Sequence, residues 1–320
     1  MSSGSAVKLV VVTPVYEDVE ASSRLFAELG ATYRPGVFVV AVDDGSVRQP
    51  LGTTGLEAAG IDGVVIKLRR NVGHQRAIAI GLGYVATHLP DAERIVVMDS
   101  DGEDLPQSID LLMAPLGAPD VDIVVAQRRS RVETLRFRAF YAVYKWLFKL
   151  LSGRAISFGN FMAMSPAALR RLTAMQELWI HVAGCVLTSK LRVATCPLDR
   201  GPRYAGQSKM NFVGLALHGF RGLMVFAEDV LVRVGIACTL VAALSIAASA
   251  AAVVLKVLGF ATPGWFSVAL GILLLVFLQT GALTLMTLML TGVVRGGLVS
   301  KIDYQDFVDA VLHAKSGQSR

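Results

Sequence analysis

Two long stretches without charge dominate the last part of this chain. No charged residue interrupts residues 234–255, and none occurs between residues 257 and 294. At a helical rise of about 1.5 Å per residue, the first stretch alone is long enough to cross a hydrocarbon core of about 30 Å. Pro263 and Gly264 interrupt the second stretch in a pattern typical of a turn. The sequence therefore predicts two transmembrane helices, at about 234–256 and 265–292.

Composition favours this interpretation over a buried hairpin in a soluble protein. Hydrophobic residues make up 53% of the chain, and the mean hydropathy is +0.55. An ordinary soluble domain contains roughly 45–50% apolar residues. The excess is concentrated in the two uncharged stretches, which are longer than a soluble core helix needs. The net charge of +6 is then assigned to an anionic membrane surface and phosphorylated ligands, not to nucleic acid.

The charges that flank the two stretches predict their orientation. Basic residues lie on the outer sides of both stretches, whereas the connecting loop carries a single lysine: these are Arg221, Arg233, Arg295, Lys301 and, in the loop, Lys256. Basic flanks stay on the cytoplasmic side of a membrane. Residues 1–6 are short and polar and do not form a signal peptide. We therefore expect an integral protein of the plasma membrane with both termini and the first 230 residues in the cytoplasm.

The cysteines agree with a reducing compartment. Cys185, Cys196 and Cys238 show no paired spacing, and Cys238 falls within a predicted span. Neither a disulfide framework nor a zinc site is expected from this pattern.

The first part of the chain alternates short apolar runs with helical patterns. Strands are predicted at 8–12, 37–42, 64–68, 95–98 and 123–126, and helices at 19–29 and 73–88. This alternation is typical of an α/β fold with a mainly parallel sheet that is covered on both faces. The predicted organisation is a cytosolic domain at 1–209, an interfacial amphipathic helix at 210–230, a transmembrane hairpin at 231–294 and a cytosolic tail at 295–320.

A second amphipathic candidate lies inside the cytosolic domain. Residues 134–152 interleave aromatic and basic side chains in a helical pattern. Such a helix can lie flat among lipid headgroups, or it can pack on the sheet or against another subunit. The sequence leaves these alternatives open.

An acidic cluster follows the fourth predicted strand. Asp99 and Asp101 are separated by one residue, and Glu103 comes two further on. Carboxylates at this spacing suit a hard divalent cation that also holds substrate phosphates. The alternative is an acidic turn that leads into the next helix.

Three more polar clusters follow predicted strands. They are Thr-Pro-Val-Tyr-Glu at 13–17, Asp-Asp-Gly-Ser at 43–46 and Asn-Val-Gly-His-Gln at 71–75. In a doubly wound sheet such loops converge on one crevice at the carboxyl ends of the strands. Four loops of this kind in order favour a ligand site over four unrelated turns.

As a set, these segments resemble glycosyltransferase family 2 with the GT-A nucleotide-sugar-binding fold. The chain more closely resembles the membrane-anchored polyisoprenyl-phosphate glycosyltransferases, relatives of dolichol-phosphate mannose synthase. The resemblance covers roughly residues 8–290. Besides the four clusters and the two spans, it is carried by Gln127-Arg128-Arg129 and by Arg203-Tyr204-Ala205-Gly206-Gln207-Ser208-Lys209.

The resemblance implies a role for each cluster. Pro14, Tyr16, Glu17 and one of Asp43 or Asp44 would hold the nucleoside of the donor. Gly73 would permit close backbone approach, and His74 or Gln75 would touch the nucleotide. Asp99 and Asp101 would bind Mg²⁺ or Mn²⁺ at the donor diphosphate, with Glu103 in the position of a third ligand.

The implied acceptor is polyprenyl phosphate, a membrane lipid. Its phosphate has a second pKa of about 6, so near neutral pH it is largely ionised and needs little help from a base. Cationic side chains must instead offset repulsion between two anionic substrates. The candidates are Arg128, Arg129, Arg131, Arg200, Arg203 and Lys209. The predicted catalytic set is Asp99, Asp101, Arg128, Arg203 and Lys209.

One segment departs from the family pattern. Related enzymes often carry Gly-Asp-Phe-Arg where this chain has Gly159-Asn160-Phe161-Met162. Asn160 cannot act as a base, and Met162 cannot bind phosphate. The departure hints at a different acceptor or sugar.

The predicted function is inverting transfer of a sugar from a UDP- or GDP-linked donor to polyprenyl phosphate. Two alternatives stay open at this point: transfer to another lipid or glycan acceptor, or a membrane scaffold with a vestigial nucleotide site. The resemblance also leaves a homo-oligomer open. A P-loop NTPase is excluded because its phosphate-binding motif is missing.

Overall fold

The computed structural model describes residues 8–128, 145–154, 158–204, 219–260, 262, 264–296 and 302–315. The chain divides into two compact units. The sheet unit comprises the described parts of Met1–Thr134, Ile156–Val225 and Lys301–Arg320. The hairpin unit comprises the described parts of Leu135–Ala155 and Phe226–Ser300. The calls on residues 129–144, 205–218 and 316–320 lie outside the described residues.

An eight-stranded sheet forms the centre of the sheet unit. Its strands are β1 (Leu9–Val15), β2 (Val37–Asp43), β3 (Asp62–Leu68), β4 (Arg94–Val97), β5 (Ile123–Arg128), β6 (Met162–Met164), β7 (Val193–Leu198) and β8 (Val308–Ala314). The spatial order is β7-β5-β6-β4-β1-β2-β3-β8. Pairing is parallel except that β6 runs antiparallel to β4 and β5, and β8 runs antiparallel to β3. The predicted mainly parallel α/β sheet is confirmed.

Helices cover both faces of this sheet. In chain order they are α1 (Val19–Tyr33), α2 (Thr54–Ala59), α3 (His74–His88), α4 (Ile109–Met113), α5 (Pro166–Thr173) and α6 (Val182–Thr188). Alternating residues of β1 face opposite layers, so Val10 and Val12 pack with α3, whereas Val11 packs with α1. α3 approaches the sheet closely at Gly81, where an added Cβ would lie 2.5 Å from Val12 Cγ1. A larger residue at this position would push the helix off the sheet.

The C-terminal segment returns to the sheet as β8, an element that the sequence did not reveal. β8 pairs along β3 and buries Ala314. Before it, Tyr304 packs over Gly83, and its hydroxyl lies 3.2 Å from His88 Nδ1. The Phe307 ring lies 5.6 Å from the Trp179 ring. β8 thereby covers the edge of β3, which would otherwise offer unpaired backbone groups.

Two long helices make up most of the hairpin unit. They are α7 (Ala227–Val257) and α8 (Trp265–Gly296), and both are long and apolar enough to cross a membrane. Most of their large apolar side chains are exposed, including Leu240, Leu274 and Leu288. α7 begins earlier than predicted and includes Glu228 and Asp229 in its first turn, where acidic residues favour the helix dipole.

The described end of the 134–152 segment belongs to the hairpin unit. Residues 145–152 are helical, and Phe148 is buried with its ring 5.8 Å from that of Phe226 in an edge-on arrangement. Arg233 donates to the carbonyl of Leu150 at 3.3 Å. Residues 145–152 thus pack through Phe148 within the hairpin unit, whereas Trp146, Leu147 and Leu150 are exposed, and a position among lipid headgroups stays a prediction.

Candidate active site

The acidic loop, residues 99–104, leaves the carboxyl end of β4 and is shaped by its own aspartates. Asp104 Oδ2 accepts from the backbone N–H of Asp99, and Asp101 Oδ1 accepts from that of Glu103, both at 3.0 Å. Gly102 has a φ of +89°, and an added Cβ would lie 2.5 Å from Tyr204 Cγ. Only glycine suits this combination of a left-handed backbone and a ring directly above it.

The segment that carries Arg200 and Arg203 lies against the acidic loop. The N–H groups of Gly201 and Tyr204 donate to the carbonyls of Glu103 and Asp101, at 3.0 and 2.8 Å. This backbone pairing places the two arginines beside the acidic side chains. The loop and the arginine segment are 100 residues apart in sequence, so the fold itself brings these charges together.

Three ion-pair contacts join the predicted cation-binding and phosphate-binding residues. Arg203 Nη2 lies 2.8 Å from Asp101 Oδ2 and 3.5 Å from Glu103 Oε2. Arg200 pairs with Glu103. Burial lowers the pKa of Arg200, while the charges of Asp101 and Asp99 oppose that shift. Arginine stays charged in proteins, so the site contains permanent positive charges next to its carboxylates.

A small cavity of about 30 Å³ opens beside the acidic loop. It is lined by carboxylates, amides and one guanidinium, together with apolar residues: Asp99, Glu103, Asp104, Ala126, Gln127, Gly159, Asn160, Phe161, Leu198, Asp199 and Arg200. Asp104, Gln127 and Asp199 were missed as site candidates. Asp104 lies in the acidic segment that follows β4, whereas Gln127 and Asp199 come from the ends of β5 and β7.

The carboxylates after β2 build the loops of this sheet edge. Asp43 accepts from the N–H groups of Ser46 and Leu51 at 3.0 and 2.9 Å. Asp44 accepts from those of Val72 and Gly73 at 2.7 and 2.9 Å. Both aspartates are buried, at 2% and 3% exposure. The predicted nucleoside role of one of them stays a prediction.

Burial gives Asp44 an unusual titration. It raises the pKa of Asp44 to about 6, against the lowering effect of the Val72 and Gly73 N–H groups, and the charge of Asp43 adds to the increase. This carboxyl therefore changes its charge close to neutral pH.

The segment after β1 contributes an exposed tyrosine ring and a glutamate that holds the neighbouring loop through hydrogen bonds. Tyr16 is 44% exposed, whereas Pro14 is buried in the strand. Glu17 accepts from three successive N–H groups, those of Val47, Arg48 and Gln49. The N–H groups of Arg48 and Val47 lower its pKa. Of the residues predicted from this segment, Tyr16 is the one most open to a base or ribose.

The N-terminus of α3 carries the third polar cluster. Gly73 caps the helix with a φ of +90° and allows close backbone approach. Burial and the charge of Arg221 lower the pKa of His74, which favours the neutral ring. Arg221 Nη1 would lie 3.9 Å from a Cβ at Gly73. Sequence reasoning assigned Arg221 to membrane-flanking charge alone and missed its position beside this cluster.

Gln75 and Asn160 form a buried link behind the cavity. Gln75 is 3% exposed, its Nε2 donates to Asn160 Oδ1 at 3.0 Å, and its Oε1 accepts from the Val182 N–H at 2.6 Å. Both ends of the Gln75 amide are thus used within the protein. Met162, the other departure from the family pattern, is a fully buried core residue of β6.

Part of the predicted phosphate-binding set lies outside the described residues. Arg129, Arg131 and Lys209 fall there, as does the side chain of Arg128, whose backbone ends β5. Their roles stay predictions.

The metal prediction fits the donor chemistry of the site. Carboxylate oxygens of Asp99, Glu103 and Asp104 line one cavity, and such oxygens are the ligands that Mg²⁺ and Mn²⁺ prefer. Within the described ranges, however, no three His, Cys, Asp or Glu side chains form a group spaced to hold an ion. Asp101 and Glu103 are instead turned towards arginines. The three-carboxylate site stays a prediction.

Comparison with known proteins identifies the family. The sequence profile of Glycosyl transferase family 2 matches residues 10–179, which is more than half of the chain. The chain belongs to glycosyltransferase family 2. The protein is therefore a glycosyltransferase, and its sheet is the GT-A-like α/β domain of that family. The matched region contains the acidic loop, Asn160 and the clusters after β1, β2 and β3.

Two relatives and one solved structure illustrate the similarity. An uncharacterized glycosyltransferase of Synechocystis is 26% identical over 284 residues, 84% of this chain and 85% of its own length. Undecaprenyl-phosphate 4-deoxy-4-formamido-L-arabinose transferase of Klebsiella pneumoniae is 27% identical over 221 residues, 65% and 64% of the two chains. Glucosyl-3-phosphoglycerate synthase from Mycobacterium tuberculosis, in complex with Mn²⁺, UDP and glucosyl-3-phosphoglycerate, aligns with 18% identity and a TM-score of 0.49 over 71% of this chain and 79% of its own.

Proposed function

We propose that this glycosyltransferase transfers a sugar from a UDP- or GDP-linked donor to polyprenyl phosphate at a membrane surface, with inversion at the anomeric carbon. The observation that carries the proposal is the position of Arg200 and Arg203 against the acidic loop. It places carboxylates that suit a cation and guanidinium groups that suit a phosphate in one site. The name of the Klebsiella relative, an undecaprenyl-phosphate transferase, points to the same acceptor class.

On the donor side, Asp99 and Asp101 would hold Mg²⁺ or Mn²⁺, with Glu103 as a further oxygen ligand. When bound, such an ion is a Lewis acid that stabilises the departing nucleoside diphosphate. Tyr16 offers an exposed ring to the nucleoside, and Glu17, Asp43 and Asp44 fix the loops around it through their backbone hydrogen bonds.

On the acceptor side, the arginines would orient a phosphate that is already ionised. Arg203 lies 2.8 Å from Asp101, so a phosphate held by Arg203 sits next to the donor diphosphate. The acceptor oxygen then attacks the anomeric carbon directly, and the bond to the diphosphate breaks. No side chain has to remove a proton, which explains why Asn160 can stand where relatives often have a carboxylate.

The chain order supports an anchored enzyme whose two ends lie on the same side of the membrane. α7 and α8 are long and apolar enough to cross a membrane. After α8, the chain returns to the sheet unit as β8, which pairs with β3. Because the residues before α7 and after α8 belong to one folded unit, the two spans form a hairpin. The basic flanks support a cytoplasmic position for that side.

Transfer of labelled sugar to lipid tests the proposal. The full chain in vesicles with undecaprenyl phosphate would receive radiolabelled UDP- and GDP-sugars in turn, with Mg²⁺ or Mn²⁺ and with a chelator. We expect label in the organic extract that needs the divalent ion and resists mild alkali, since a prenyl chain has no ester-linked acyl group. Absence of any lipid product across the donors would contradict the proposal, and an alkali-labile product would indicate a diacylglycerol acceptor.

A further inference from the structure

The cavity beside the acidic loop contains an amide whose orientation is dictated by the fold. Asn160 lines this cavity together with Asp99, Asp104 and Asp199. It lies on the segment that leads into β6, and behind it Gln75 reaches from the first turn of α3. The Gln75 and Asn160 amides are joined by a hydrogen bond of 3.0 Å.

A backbone group decides which way both amides point. The N–H of Val182 can only donate, and it lies 2.6 Å from the Gln75 side chain, so the Gln75 oxygen must face it. The Gln75 nitrogen then faces Asn160, which must present its oxygen in return. The orientation therefore follows from the donor and acceptor chemistry and does not depend on reading O and N apart. The Nδ2 group of Asn160, with two N–H donors, is the end that can serve a ligand.

The cavity suits a group that both donates and accepts. Its carboxylates only accept, whereas the Asn160 amide nitrogen only donates. A hydroxyl matches both, because it can donate to a carboxylate and accept from the amide. Arg200 also lines the cavity and only donates, so accepting carboxylates and donating groups lie side by side there.

The size of the cavity gives the same answer. Its volume of about 30 Å³ exceeds the roughly 10–15 Å³ that one water molecule needs on the same measure. The cavity therefore has room for a hydroxyl-sized group. We propose that Asn160 donates a hydrogen bond to one hydroxyl of the sugar being transferred, and that Gln75 is its positioning residue. This inference rests on the proposed nucleotide-sugar function and identifies the part of the donor that contacts the cavity.

Calorimetry on the full chain in detergent, with Mn²⁺, separates sugar contacts from nucleotide contacts. The wild type would be titrated with UDP, GDP, UDP-glucose, UDP-N-acetylglucosamine and GDP-mannose. The nucleotide sugar that binds most tightly becomes the probe, and its own nucleoside diphosphate becomes the reference. We expect Asn160→Ala to weaken the probe about tenfold and to leave the reference unchanged, because one hydrogen bond is lost.

Three further variants control this comparison. Asn160→Asp keeps the shape but cannot donate, so it should weaken the probe at least as much. Gln75→Glu keeps an acceptor for the Val182 N–H, and when its carboxyl is ionised it forces Asn160 to turn its nitrogen inwards, so it should reproduce the selective loss at a pH where that carboxyl is ionised. Gln107→Ala removes an exposed amide just beyond the acidic loop and should change neither affinity.

The outcomes separate this inference from the proposed function. Equal weakening of probe and reference by Asn160→Ala, or no weakening of either, would overturn the role of Asn160. Should Asn160→Ala not fold, the isosteric Asn160→Asp decides by the same comparison. Failure of the wild type to bind any nucleotide or nucleotide sugar would instead overturn the proposed function itself.

Discussion

Two aspartate–arginine pairs of the sheet unit lie at opposite ends of its strands, and their contacts differ. Asp122 and Arg192 lie where β5 and β7 begin, whereas Asp101 and Arg203 lie beyond the carboxyl end of β4. Asp122 accepts from Arg192 through Nε and Nη2, at 2.9 and 2.7 Å, and from its backbone N–H at 2.9 Å. Arg203 Nη2 lies 2.8 Å from Asp101 Oδ2 and 3.5 Å from Glu103 Oε2, so it is shared between two carboxylates.

This difference shows how the same two residue types can serve structure or chemistry. The Asp122–Arg192 pair is bidentate, and Arg192 also donates to the carbonyl of Pro119 at 2.7 Å. Its hydrogen-bonding capacity is directed to joining two strand ends. The Asp101–Arg203 contact is shared with Glu103, in a site with a cavity and further charges. We therefore propose that the first pair contributes to stability and the second to substrate binding.

Removing the acidic side chain of each pair should give the largest contrast. Asp101→Asn is expected to lower sugar transfer at least about a hundredfold, since even residues that only support metal ligands cost about 10- to 100-fold when changed. Asp122→Asn should leave transfer unchanged. Lipid-linked product formed by the two variants, at equal amounts of folded protein, measures the contrast. Equal activity of the two variants would contradict the different roles of the two pairs.

Removing the arginines sharpens the contrast on the acceptor side. Arg203→Ala should weaken use of polyprenyl phosphate by about tenfold to a hundredfold, because a charge-assisted hydrogen bond contributes roughly 1.5–3 kcal/mol. Arg192→Ala should not change it. The KM for the lipid acceptor checks this prediction, and its salt dependence should fall in Arg203→Ala alone. A raised KM for the nucleotide sugar with an unchanged KM for the lipid would assign Arg203 to the donor.

The structural pair should lose its contribution to stability in strong acid. Hydrogen bonds from Arg192 lower the pKa of Asp122 from 3.8 to about 2. A lowered pKa in the folded state means that the stabilisation is present above pH 4 and is lost as the pH falls towards 2. In thermal melts of the full chain between pH 5 and 2, Asp122→Asn should therefore lose less stability than the wild type. Parallel pH curves for the two proteins would show that this pair does not contribute to stability.

The last prediction concerns Asp44, whose pH dependence has the opposite sign. Burial raises its pKa from 3.8 to about 6, so its favourable contribution is full below pH 3.8 and is lost as the pH rises through 6. Asp44→Asn is neutral at every pH and should lack this decrease in thermal midpoint between pH 4 and 7. A variant that keeps the decrease would assign it to another group.

Local pattern predicted the first half of the fold well. β1, β2, β3 and β4 are apolar runs of valine and isoleucine that end in polar turns, so their type and order followed from the sequence. The sequence did not predict β6, β7 or β8. β6 has only three residues, β7 is partly exposed and contains Pro197, and β8 follows the two long helices. Their pairing depends on distant strands and leaves little local signal.

The candidate site divides in the same way. The residue types after each strand were visible in the sequence, and the acidic loop was predicted at its correct place after β4. Partners across the chain were not visible. Gln75 bonds to residues 85 and 107 positions away, a buried link that the sequence did not reveal, and its contact with the nucleotide stays a prediction. The position of Arg203 beside the acidic loop likewise depends on backbone contacts that form only in the folded chain.

The most direct test of this account is the metal dependence of nucleotide binding at the acidic loop. Binding of UDP and GDP to the full chain would be measured by thermal shift with and without Mn²⁺, for the wild type, Asp99→Asn and Asp122→Asn. We predict that Mn²⁺ raises the shift for one nucleotide in the wild type and in Asp122→Asn, and that Asp99→Asn loses this increase, because a ligand stabilises the state that it binds. A shift that is equal in all three proteins, or indifferent to Mn²⁺, would contradict the account.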